Sequence, residues 1–154
     1  MAQHILVPTD GSKLSRKAVE AGIAYAKSHA AKITIYHALE PFPLYIRGEP
    51  DALNPDFIRT LEAETRQEGE RLVADAARVA EQAGVAVDTE IDRPQSPYRG
   101  IIDAAKRLGC DLVFIGSHGR SAIAGPLLGN VTQKVLAHID IPVLVYREPR
   151  DQQQ

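Results

Sequence analysis

DLVFIGSHGRSAIAGPLLGN, running from Asp111 to Asn130, changes character twice. Leu112, Val113, Phe114 and Ile115 are consecutive apolar residues with branched or aromatic side chains. A short run that is apolar on every side and bounded by turn residues predicts a strand buried on both faces of a parallel sheet. Gly116 and Gly119 follow at once, and Gly129 stands after a spacer of nine residues. Past Gly129, Val131, Val135, Leu136 and Ile139 recur at helical spacing. The pattern is strand, glycine-rich loop, helix. In an open parallel sheet, ligands bind at loops of this kind, at the carboxyl ends of the strands. Glycines let backbone N–H groups approach an anion with no side chain in the way, and a helix N-terminus favours negative charge. The first expectation is a loop that holds phosphate.

Strands and helices alternate upstream of this segment. Ile5-Leu6-Val7 form a short first strand stopped by Pro8, and Thr9-Asp10-Gly11-Ser12 form a turn in which Ser12 or Asp10 caps the next helix. Leu14, Ala18, Ala21, Gly22 and Tyr25 predict one face of a helix reaching about His29. Lys32 to Leu39 is the second strand. Glu40 to Pro55, broken by Pro41, Pro43, Gly48, Pro50 and Pro55, is a long irregular loop, either a lid over a site or a plain surface insertion. Asp56 to Ala83 predicts a long helix with Phe57, Leu61, Leu72, Ala76 and Val79 inward and Gly84 at its end. Val85 to Ile91 is the third strand. Ser96-Pro97 opens a third helix with Ile101, Ile102, Ala105 and Leu108 inward and Gly109 as its stop. Downstream, a fourth helix reaches about His138, Val143 to Tyr146 form the last strand, and 148–154 is a polar, frayed tail.

This order predicts an α/β fold, a flavodoxin-like or Rossmann-like three-layer sandwich on a five-stranded parallel sheet of order 3-2-1-4-5. The first and fourth strands then lie side by side at the topological switch, and the Pro8–Ser12 turn and the Gly116–Asn130 loop converge on one crevice.

With 154 residues, 44% of them hydrophobic, the chain suits a single domain, 1–154, with a full core. A formal net charge of −2 gives no general attraction to nucleic acid or membranes. The opening MAQHILVPTDG lacks the basic start and long apolar region of a signal peptide, and no run approaches the roughly 18 apolar residues of a membrane span. A cytoplasmic location is the expectation. The lone Cys110 precludes an internal disulfide and reads as packing.

Neither common phosphate fingerprint is present. The chain contains no Gly-Lys pair, hence no Walker loop, and G-x-G-x-x-G is missing after the first strand. The loop G-x2-G-x9-G, the opening VPTDGS and the ending IPVLVY together resemble the universal stress protein family, from about His4 to Arg147. The resemblance implies the flavodoxin-like fold, a dimer and, in one branch, binding of ATP or AMP. Pro8, Thr9 and Asp10 resemble the turn that meets adenine and ribose, with Asp10 accepting from ribose hydroxyls and Thr9 supporting an adenine edge. Ala38 resembles the backbone position that pairs with adenine. Gly116, Ser117, His118, Gly119 and Arg120 resemble the first part of the phosphate and ribose loop, and Gly129, Asn130 and Val131 its second part. The ATP-binding branch usually carries Ser or Thr after the last glycine. Asn130 replaces that hydroxyl with a bulkier amide, which still donates and makes a good N-cap.

Bland readings compete at several of these positions. Asp10 serves as a cap, a ligand contact or both. Arg120, the cation of the loop, meets phosphate or is solvated. His118 reads as a loop contact rather than a base. His4, His29, His37 and His138 lie on separate elements without metal-ligand spacing and read as satisfied or surface histidines. No metal is expected on protein side chains; Mg²⁺ would arrive with a nucleotide. A loop with one arginine, one histidine and no lysine is poor equipment for phosphoryl transfer. The expected function is an ATP-, ADP- or AMP-binding stress-response regulator that is non-catalytic or at most weakly hydrolytic and signals to a regulatory protein partner. The alternatives are a member without nucleotide binding that acts as an interaction module, and a slow ATP hydrolase. Val143, Leu144, Val145 and Tyr146 form an apolar sheet edge, and pairing with a second copy would cover it.

Overall fold

The computed structural model describes residues 2–41, 54–118 and 127–149. The elements follow in the order β1 (His4–Pro8), α1 (Lys13–Ser28), β2 (Lys32–Ala38), α2 (Pro55–Gln82), β3 (Val87–Asp92), α3 (Pro97–Arg107), β4 (Leu112–Gly116), α4 (Asn130–His138) and β5 (Val143–Tyr146). The strands form one sheet of order β3-β2-β1-β4-β5, and every neighbouring pair is parallel. This is the predicted topology, with the switch between β1 and β4.

Alternation along the central strands fills two cores. Ile5 and Val7 of β1, Ile33 and Ile35 of β2, and Leu112 and Phe114 of β4 pack with Val19, Ile23 and Val73 of α1 and α2. Leu6, Tyr36, Val113 and Ile115 face the opposite way, against Ile101, Ala104 and Ala105 of α3 and Val135 of α4. A strand apolar on both faces is what two helical layers require, and the Leu112–Ile115 run meets that requirement.

The helix faces need correction. In α1 the buried stripe is Ser15, Ala18, Val19, Gly22, Ile23 and Ala26, whereas Leu14, Ala21 and Tyr25 lie at its margins. In α2 the buried residues are Gly69, Val73, Ala77 and Ala80, while Phe57 and Val79 are 47% and 43% exposed. In α4 Thr132 and Val135 are buried and Leu136 is exposed. Small residues (Ala18, Gly22 and Ala26; Gly69, Ala77 and Ala80) share the packing faces with Val19, Ile23 and Val73 and let the helices approach the sheet closely, so some large apolar side chains lie off that face. A β-carbon on Gly69 would stand 2.8 Å from Leu39 Cδ2.

The helix ends follow from local chemistry. Ser12, not Asp10, caps α1: its side chain accepts from Ser15 N, while Asp10 Oδ1 accepts from Ser12 N in the preceding turn. Ser96 occupies the cap position of α3 without making a cap hydrogen bond. Gly84 and Gly109 follow α2 and α3 at φ +79° and +70°, the left-handed conformation that glycine adopts without steric cost. Cys110 is buried, and burial pushes its thiol up to about 11, as suits a packing residue. Among the described residues no helix is long and apolar enough to cross a membrane. The expected lid or insertion falls mainly on residues 42–53, and the end of the tail on 150–154; both lie outside the described residues.

Candidate functional site

At the switch point, the β1–α1 turn is held by a small network. Thr9 N donates to the Tyr36 carbonyl at 2.8 Å, continuing the β1–β2 ladder by one step. The hydroxyls of Thr9 and Ser15 lie 2.6 Å apart, and Ser15 Oγ also accepts from Asp10 N at 3.1 Å. The Thr9 side chain is therefore committed to shaping the turn. Ser15 escaped the sequence reading because its signal is only a serine in the first turn of a helix.

Across the crevice, the two ends of the glycine-rich segment are pinned together. Gly129 N donates to the Ser117 carbonyl at 2.7 Å, Ser117 N to the Tyr146 carbonyl at 2.8 Å, and Thr132 Oγ1 to the Gly116 carbonyl at 2.8 Å. Gly129, not Asn130, is the N-cap of α4; Asn130 is the first helical residue and is exposed. Gly129 has no side chain with which to cap the helix, and among the described residues no side chain is seen to accept from the N–H groups of its first turn.

Between the two walls lies a cavity of about 360 Å³, within the range of small-molecule sites. Pro8, Thr9, Asp10, Ala38, Gly116, His118 and Val131 line it, as do Ser15, Tyr36, His37, Thr65, Gly69, Ile101, Ile115 and Thr132. Ser117, Gly129 and Asn130 stand outside the lining, and Gly119 and Arg120 lie outside the described residues. Acidic and imidazole side chains of the wall are Asp10, His37, Glu40, Glu68 and His118, with the Tyr36 phenol beside them; among the described lining residues there is no lysine or arginine. Arg93 closes the rim beside α2, donating to Thr65 Oγ1 at 2.9 Å and to the Glu40 carbonyl.

The backbone of Ala38 has an open side. Even-numbered residues of β2 bond toward β1: Lys32 N donates to the Gln3 carbonyl, and the Tyr36 carbonyl accepts from Thr9 N. Odd-numbered residues bond toward β3, as Ile33 N does to Ala86 and Leu39 N to Asp92. The N–H and C=O of Ala38 thus point to the β1 side, where β1 has already ended at Pro8. The next rung, from Ala38 N–H to the Thr9 carbonyl, is absent among the hydrogen bonds of the described residues. A donor and an acceptor side by side on a cavity wall are suited to the edge of a planar heterocycle.

Tyr36 is committed elsewhere. Its hydroxyl donates to Asp92 Oδ1 at 2.5 Å, and burial first, then the Asp92 carboxylate, push the phenol far above its usual range. It is a fixed wall, not a proton source. Among the described residues no group of three or more His, Cys, Asp or Glu converges to hold a metal ion.

A parallel α/β sandwich with a cavity at its switch point, between a strand edge and a helix N-terminus, is the arrangement in which open α/β folds host ligands. Sequence comparison is more specific. The model of the universal stress protein family matches residues 1–147. The chain is 31% identical to the universal stress protein YxiE of Bacillus subtilis over 149 residues, covering 96% of this chain and 100% of that protein. Its fold matches the solved structure of MJ0577 with a TM-score of 0.80 at 24% identity, over 97% of this chain and 98% of the other. A universal stress protein solved in complex with cAMP matches with a TM-score of 0.69 at 26% identity, over 95% and 97% of the two chains. An Arabidopsis thaliana family protein with AMP bound shares the fold at 17% identity and a TM-score of 0.68, over 97% and 94%. The chain belongs to the universal stress protein family.

Proposed function

We propose that this protein binds an adenine nucleotide in the cavity between the Pro8–Asp10 turn and the start of α4, and acts as a non-catalytic or weakly hydrolytic regulator in the cytoplasm. The observation that carries the reading is the open edge of Ala38, whose N–H and C=O complement the N1 and 6-amino groups of adenine. From there the Asp10 carboxylate would accept from ribose hydroxyls, and the first turn of α4 would receive phosphate. The cAMP complex of a related protein supports the same class of ligand. ATP, ADP and AMP share these features, and Mg²⁺ would accompany a polyphosphate. With no lysine or arginine among the described lining residues, efficient phosphoryl transfer has little charge to rely on. The half-buried edge strand β5 would pair with a second copy, giving a homodimer, with a regulatory protein reading the nucleotide state. Calorimetric titration with AMP and with ATP plus Mg²⁺ tests the reading. The absence of both binding heat and a thermal shift at millimolar nucleotide would sink it.

A second reading, an interaction module without nucleotide, is favoured by Asn130, which brings no hydroxyl to the helix start and stands outside the cavity lining. It wins if the unaltered protein binds no nucleotide while Asn130→Ser gains affinity.

A further inference from the structure

A side-chain donor stands where the missing rung at Ala38 would close. The Thr9 carbonyl, which that rung would use, accepts from Nδ1 of His37 at 2.7 Å and not from Ala38 N–H. A carbonyl oxygen only accepts, so Nδ1 carries the proton, and in the neutral ring Nε2 does not. The ring is held in place from its other side as well. A β-carbon on Gly69 of α2 would stand 3.2 Å from His37 Cδ2, so α2 packs against the imidazole where it carries no side chain. His37 lines the cavity beside Thr9 and Ala38.

We infer that His37 is the positioning residue of the base-binding edge: by taking the Thr9 carbonyl it stops the β1–β2 ladder one rung early and leaves the Ala38 N–H for a ring nitrogen of the ligand. Without that donor, Ala38 N–H closes onto Thr9, and the cavity keeps its shape but loses its hydrogen-bond donor. The ligand class is a nucleotide whose base offers an acceptor nitrogen next to an exocyclic amine. This inference rests on the nucleotide reading above.

The test compares AMP with 1-deaza-AMP, in which C–H replaces the N1 acceptor. The unaltered protein should prefer AMP by roughly three- to tenfold, the ratio equivalent to one net hydrogen bond. In His37→Leu the ratio should fall to about one, because Ala38 N–H is then engaged with Thr9. His37→Asn should restore it, since the asparagine amide nitrogen occupies the place of Nδ1. No AMP binding by the unaltered protein would overturn the nucleotide reading. Binding without preference for AMP, or a preference surviving in His37→Leu, would overturn the role of His37 alone. Nitrogen-15 NMR of the unaltered, ligand-free protein reads the same inference independently of how any variant folds. A proton on Nδ1 of His37 is expected, and an Nδ1 without one would overturn it.

Discussion

The Thr132 hydroxyl, buried in the first turn of α4, donates to the carbonyl of Gly116, the last residue of β4, at 2.8 Å. One side-chain hydrogen bond thus fixes where the helix starts relative to where the strand ends. Thr132→Val keeps the shape and removes the donor, stranding a carbonyl in a buried place. The expected cost is about 1–2 kcal/mol, or roughly 2–8 °C in Tm for a chain of this size. Because the bond positions the helix start that faces the cavity, AMP affinity should fall as well, and Thr132→Ser should recover most of both. Thermal denaturation and nucleotide titration of the two variants check this. A fully stable Thr132→Val protein would show that the bond does not hold the loop ends.

Gly100 is required by its neighbour across the second core. A β-carbon there would stand 2.2 Å from the Tyr36 hydroxyl oxygen and 2.6 Å from Pro94 Cγ. Gly100→Ala should displace Tyr36 from Asp92 and cost about 1–3 kcal/mol by overpacking. The companion Tyr36→Phe removes the hydroxyl and with it the nearer clash. In the double variant the alanine should therefore cost less than it does alone, leaving a coupling between the two sites readable by urea denaturation. Additive effects would mean that the Pro94 contact dominates.

β4 and the residues around it were the most legible part of the sequence. Leu112–Ile115 announced a strand buried on both faces, and the glycines after it announced a loop at the strand end, so the switch point and the wall formed by Pro8, Thr9 and Asp10 were legible. Which helical residues would pack was not. Gly69, Gly100 and Thr132 are chosen by how closely a helix approaches a strand, a tertiary distance that periodicity does not encode. Asn130 looked like a cap because asparagine favours that position, but the backbone places Gly129 there. His37 read as a bland strand histidine, since its partner, the Thr9 carbonyl, comes near it only through the β1–β2 register.

Three helix exits offer an internal comparison. Gly84 after α2 and Gly109 after α3 take positive φ, and at the corresponding place after α1 the residue is Ala30, at φ +52°. A β-carbon in this conformation costs roughly 1–2 kcal/mol, partly offset by the extra freedom that glycine gives the unfolded chain, roughly 0.5–1 kcal/mol. Ala30→Gly should therefore stabilise the protein by about 0.5–1 kcal/mol without touching the cavity. Urea denaturation should show a raised midpoint with an unchanged slope, and AMP affinity should stay the same. A lowered midpoint would show that Ala30 makes contacts outweighing its strain.

His4 gives stability a pH dependence at the opposite end of the sheet from the cavity. Its Nε2 lies 2.8 Å from Thr34 Oγ1 in a buried site between β1 and β2. Burial lowers its pKa from 6.5, and the Lys32 ammonium lowers it further, against opposing pulls from Asp111 and Asp88. The folded protein therefore holds His4 neutral where the unfolded chain begins to bind a proton. Between the folded value and 6.5 the unfolded state carries more protons, so this contribution to stability is complete above about pH 6.5–7 and is lost as pH falls through that window. His4→Gln keeps a hydrogen-bonding side chain toward Thr34 and cannot titrate. It should flatten the stability curve between about pH 5 and 7 relative to the unaltered protein. Parallel slopes for the two proteins across that range would show that other groups carry the acid sensitivity.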